Sequence, residues 1–211
     1  MIEVVEQINR VERRVGRRTF GAGEARTVVI TRTYDAALED VWDACTNPER
    51  IPRWFLPVSG ELHVGGRYQL EGNAGGKIER CDPPHSFAAT WEFGANVSWI
   101  ELRLSDVGEG RTRFELSHIA PGDDEHWAQY GPGAVGVGWE LALVGLARHI
   151  ASGVALDPAA AAAWGASEEG REFVALSSRG WGDAAIEFGE DAAGARAAAE
   201  RTAAFYTGAG A

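Results

Sequence analysis

Apolar and polar residues alternate with a period of two through the middle of the chain. Tyr68 and Leu70 share one face. So do Phe87, Ala89, Trp91 and Phe93, then Ile100, Leu102 and Leu104, then Phe114, Leu116 and His118. Such alternation predicts antiparallel strands with one apolar face. Turn signals punctuate these segments at hairpin spacing: Gly65-Gly66, Gly72-Asn73-Ala74-Gly75-Gly76, Asp82-Pro83-Pro84, Gly94-Ala95-Asn96 and Gly108-Glu109-Gly110. An apolar sheet face must be covered, and residues 133–151 can cover it. Val135, Trp139, Ala142, Leu143, Leu146 and Ile150 fall on one helical stripe. Val137, Leu141 and Val144 make the opposite side apolar as well, so this helix is expected to be buried on both sides.

The flanks carry the helical period too. Val4, Ile8, Val11 and Val15 recur as one helix face, Arg13, Arg14, Arg17 and Arg18 follow near its end, and Gly21 and Gly23 break it. Residues 1–25 therefore read as an N-terminal helical arm and residues 26–154 as the core domain. Residues 155–211 read as a helical extension packed on that domain. Asp157-Pro158 and Ser167 with Glu168-Glu169 are helix starts. Trp164, Phe173, Leu176, Trp181, Ile186, Phe188, Phe205 and Tyr206 are too many large residues for a disordered tail. Trp99 alternates onto the face opposite Ile100, with Glu101 and Arg103, and is expected to be covered by the extension or by a partner subunit.

Composition narrows the function classes. The 211 residues carry a net charge of −11, which argues against nucleic acid, where a basic footprint is required. Cys45 and Cys81, the two cysteines, form no CxxC and no secreted-type framework, so reduced thiols are expected. Glu3, Glu6, Arg10 and Glu12 interrupt any apolar leader core. The apolar run of residues 133–147, broken by Glu140, is shorter than the about 20 residues a bilayer span needs. A cytoplasmic protein with no membrane span is the expectation.

Candidate chemistry is sparse. Gly131-Pro132-Gly133-Ala134-Val135-Gly136 spells GxGxxG, but a polar loop precedes it where a dinucleotide site needs a strand. The glycines instead permit the turn into the long helix. His63, His85, His118, His126 and His149 show no metal-ligand spacing, and no metal or cofactor is expected. Neither a GxSxG elbow nor a P-loop is present. His118 shares its face with Phe114 and Leu116, as a hydrogen-bonded core histidine, a polar contact to a ligand, or a proton carrier. No catalytic residue is assigned, and His118 becomes one only if the protein is an enzyme. Trp54, Phe55, Tyr68, Trp91, Phe93, Phe114, His118, Trp139 and Leu143 are the candidate lining of a largely apolar ligand cavity.

One stretch carries more than periodicity. Thr31 to Phe55 runs as a strand ending in Tyr34-Asp35-Ala36, an amphipathic helix with Val41-Trp42, a second helix opened by Asn47-Pro48-Glu49, and the pair Trp54-Phe55. With Gly65-Gly66, Cys81-Asp82-Pro83-Pro84, Phe87, Trp91 and Gly138-Trp139, it resembles the START-like SRPBCC superfamily, in particular proteins similar to the C-terminal domain of the heat-shock-protein-90 ATPase activator. The resemblance implies an α+β helix-grip fold of the START/Bet v type. In that fold a curved antiparallel sheet wraps on a long C-terminal helix and encloses a cavity. It also implies binding of a small hydrophobic or aromatic molecule, a polyketide cyclase/aromatase-like activity, or a chaperone-cofactor role, since one fold hosts unrelated functions. A homodimer is compatible with all three.

Overall fold

The computed structural model describes residues 3–21, 23–122 and 125–209. In chain order the elements are α1 (Val4–Asn9), β1 (Val11–Phe20), β2 (Gly23–Tyr34), α2 (Leu38–Thr46), a 3-10 turn (Ile51–Arg53), β3 (Val58–Gly60), β4 (Arg67–Leu70), β5 (Gly75–Asp82), β6 (Ser86–Phe93), β7 (Asn96–Asp106), β8 (Thr112–Pro121), α3 (Glu125–Tyr130), α4 (Gly133–Ser152), α5 (Pro158–Gly165), α6 (Glu168–Phe188) and α7 (Ala192–Thr207). The eight strands form one curved antiparallel sheet in the order β1-β2-β8-β7-β6-β5-β4-β3. The fold is the expected α+β helix-grip.

The chain forms two compact units with boundaries other than the three segments expected. One unit is Thr31–Ala120 with Ala142–Leu156; the other is Met1–Ile30, Pro121–Leu141 and Asp157–Ala211.

In the first unit, β6, β7 and β8 pair with Phe87 opposite Leu102, Leu102 opposite Leu116, and Leu104 opposite Phe114. The alternation read from the sequence thus places these side chains on one face. Ile100, Leu102, Leu104, Phe114 and Leu116 are buried there. Trp42 of α2 meets Phe87 edge-on, with ring centroids 6.4 Å apart. Tyr34 meets Phe114 in the same way at 6.0 Å. The Asn47-Pro48 helix expected from sequence shrinks to the 3-10 turn Ile51–Arg53. The Asn47 Oδ1 does accept from the Glu49 N–H, but Pro52 has no N–H to continue a ladder. On the opposite sheet face Trp99 is half-buried, and Ile119, its partner in register, is fully buried.

In the second unit the N-terminal helical arm is corrected. The helix stops at Asn9, and Val11–Phe20 is a strand. Val11 and Val15 fit a period of four as well as one of two, so spacing alone could not separate the readings. Gly21, at φ +58°, makes a strand turn rather than a helix stop. The helix starts downstream do form. Asp157 accepts from the N–H groups of Ala159 and Ala160, and the Ser167 hydroxyl accepts from the Gly170 N–H. α6 packs against α1, β1, α5 and α7. Arg13 of β1 makes a two-pronged pair with Glu140 of α4, at 2.6 and 2.7 Å, with Glu140 1% exposed.

α4 is 20 residues, longer than the apolar run measured in the sequence, and by length and composition it could cross a membrane. Its Val137, Leu143 and Leu146 are fully buried, and its polar Glu140 and His149 are buried as well, which are the properties of a core helix.

Candidate functional site

The site is built on β6–β8. Ile100 lies opposite His118, and Trp91 lies opposite Ser98. Period-two alternation therefore gathers His118, Ser98 and Trp91 at one end of the apolar face. The His118 imidazole is 4% exposed, and its Nε2 stands 2.9 Å from the Ser98 hydroxyl. That hydroxyl donates to the Trp91 carbonyl at 3.2 Å. A hydroxyl has one proton to give, so Ser98 accepts from His118, which places the imidazole proton on Nε2. The Trp91 ring meets the imidazole edge-on, 6.1 Å between centroids. Burial pushes the His118 pKa down to about 4, because the apolar surroundings penalise the charged ring. At neutral pH it is an uncharged hydrogen-bonding group.

The other expected site residues divide. Phe114 and Leu143 are buried in the same unit, and the Leu143 carbonyl accepts from the Tyr34 hydroxyl at 3.5 Å. Trp54 is buried and stacks on Phe55 at 5.4 Å, while its indole N–H donates to the Ala44 carbonyl at 2.8 Å. That contact fixes the 3-10 turn to α2 and uses up the indole donor. The Tyr68 hydroxyl likewise donates to the Thr90 carbonyl at 2.7 Å. Trp139 is half-buried on the first half of α4, in the other unit.

Phe93 is a correction. It is 58% exposed and lies at the very end of β6, beside the Gly94 turn. Alternation puts it on the expected side, but at the strand end it is left open to solvent.

Sequence reasoning missed three groups. Ser98 orients His118, and its pairing with Trp91 needed the register. Tyr34 is 4% exposed against Phe114. Arg32 is 3% exposed, with its guanidinium 5.3 Å over the Tyr34 ring. The spacing of Arg32 and Tyr34 on one strand was the available signal.

Cys45 and Cys81 are free. Burial pushes the Cys45 thiol up to about 12, so it stays protonated and unreactive. Among the described residues no cluster of three or more His, Cys, Asp or Glu side chains could hold a metal ion.

Comparison with known proteins shows the family. The crystal structure of CalU16 from Micromonospora echinospora is 36% identical, covering 85% of this chain and 99% of that chain, with a TM-score of 0.67. The solution structure of CalU16 is 38% identical over 84% of this chain and 96% of that chain, with a TM-score of 0.69. DynU16, from the dynemicin biosynthetic locus, shares the fold at 20% identity, over 61% of this chain and 48% of that chain, with a TM-score of 0.52. No curated protein matches the chain. The family model for Activator of Hsp90 ATPase homolog 1-like protein matches residues 35–151, and the chain belongs to that family.

Proposed function

We propose that the protein binds a small hydrophobic or aromatic molecule at the apolar face of β6–β8, with Trp91 and Phe114 supplying contact area and His118 supplying the polar contact. The carrying observation is the buried, uncharged His118 held by Ser98 beside an aromatic ring. Apolar surroundings with one oriented polar group are the usual composition of a small-molecule site. The family and the helix-grip fold suit such a role.

A cyclase-like reaction with His118 as proton carrier is the runner-up. An efficient general acid or base titrates near the working pH. An imidazole at about 4 is unprotonated at neutrality and a weak base, which favours binding over catalysis. A protein-interaction role has one observation on its side: Phe93 and Val97 are 58% and 44% exposed at the β6–β7 hairpin tip. Free thiols at Cys45 and Cys81 suit a reducing, cytoplasmic setting.

Native mass spectrometry of the purified protein, followed by extraction of bound molecules, tests the proposal. A stoichiometric small molecule that Trp91→Ala and His118→Gln release supports it. Failure of extracts and of an aromatic ligand library to bind overturns it. The same spectra count the chains in the assembly.

A further inference from the structure

Away from the proposed ligand face, His149 occupies the last turn of α4 and is 3% exposed. The Arg50 Nε lies 3.3 Å from His149 Nε2, and His149 Nδ1 lies 3.4 Å from the Val154 carbonyl. A guanidinium donates and never accepts. His149 Nε2 is therefore the acceptor, and the ring proton sits on Nδ1, facing Val154. This one tautomer of the neutral ring satisfies both neighbours.

The ring also sits where two segments are joined. Arg53 Nη2 donates to the Gly153 carbonyl at 2.6 Å, and the Leu156 N–H donates to the Arg53 carbonyl at 2.7 Å. Arg50 and Arg53 bracket the 3-10 turn, and residues 153–156 lead from α4 to α5. The charged groups acting on the ring are Arg50, Arg53 and Asp40. Asp40 and Asp43 of α2 are bound to Arg50 Nη1 at 2.7 and 2.9 Å.

We propose that His149 is a pH-sensitive latch that holds the 3-10 turn to residues 153–156 while its ring is uncharged. A proton added at Nε2 removes the acceptor for Arg50 and sets an imidazolium against two guanidinium groups. The Asp40 and Asp43 carboxylates stay with Arg50 and draw it toward α2. The turn then shifts from α4, and the Arg53 contacts to Gly153 and Leu156 open. Burial and the two arginines hold the His149 pKa below the ordinary histidine range, so the latch is closed at neutral pH and opens only as the pH falls below that range.

The test is an NMR titration of the full-length protein. The His149 ring signals give its protonation, and the protection factor of the Leu156 amide, corrected for intrinsic exchange, gives the state of the latch. Leu156 protection is expected to fall at least tenfold in step with His149 protonation while Leu102 in β7 stays protected. H149Q keeps an acceptor for Arg50 and cannot titrate, so its Leu156 protection is expected to stay level. Protection that ignores the His149 titration, that falls together with Leu102, or that falls equally in H149Q overturns the proposal. Should H149Q fail to fold, the wild-type titration decides alone.

Discussion

Gly145 of α4 lies directly on the backbone of Trp54: a Cβ at position 145 would overlap the Trp54 carbonyl oxygen. The obstacle is main chain, which cannot rotate away as a side chain can. Gly145→Ala is therefore expected to destabilise the protein by about 2 kcal/mol, within the range for overpacking, despite the better helix propensity of Ala. Urea denaturation of the variant measures it, and a stabilised variant would show that α4 can move off the 3-10 turn at little cost.

The stability of the protein should depend on pH through His118. Its pKa is depressed from 6.5 to about 4, so the unfolded chain takes up a proton at higher pH than the folded one. Stability from this source is complete above pH 6.5 and is lost as pH falls toward 4, amounting to about 3 kcal/mol at about 1.4 kcal/mol per unit. His118→Gln should make the unfolding free energy less steep across that window, leaving the share that His149, also held below the ordinary histidine range, contributes. Asp43 and Glu92, whose carboxyls Arg50 and Arg67 hold below their usual range, contribute losses only at lower pH and should remain in the variant.

Phe93 and Trp91, two residues apart on β6, should behave differently. Replacing the exposed Phe93 with Ser is expected to change stability by less than about 0.5 kcal/mol and to leave ligand affinity unchanged. Trp91→Ala should weaken ligand binding at least tenfold by removing the ring against His118. Parallel titrations of the two variants, followed by tryptophan fluorescence, separate the cases.

Removing Glu140 should be costly, because it leaves the mostly covered Arg13 guanidinium without its carboxylate. Glu140→Ala is expected to lose about 3–5 kcal/mol, whereas the double change Arg13→Met with Glu140→Leu should recover most of that loss. Chemical denaturation of the wild type, Arg13→Met, Glu140→Leu and the double variant gives the coupling directly.

The sheet, the long helix and the two capped helix starts were legible in the sequence because each rests on a local pattern: alternation at Phe114-Leu116-His118, a stripe through Leu143 and Leu146, and side-chain caps at Asp157 and Ser167. Three features were not. Val11–Phe20 became a strand because its pairing supplies backbone partners that spacing cannot reveal. Phe93 shares the alternation of Trp91, but its exposure follows from its place at the strand end. Ser98 owes its role to the register that sets it against Trp91 and near His118, and register is a property of two strands.

The packing of α6 on β1 has a consequence for synthesis. β1 leaves the ribosome well ahead of the helix that covers it, which is encoded far downstream of it. At roughly 5–20 residues per second the strand waits on the order of ten seconds for its cover. During that interval Val11 and Val15 are open to solvent and to other nascent chains, so aggregation in the cell should track translation speed through the intervening segment rather than the stability of the finished protein.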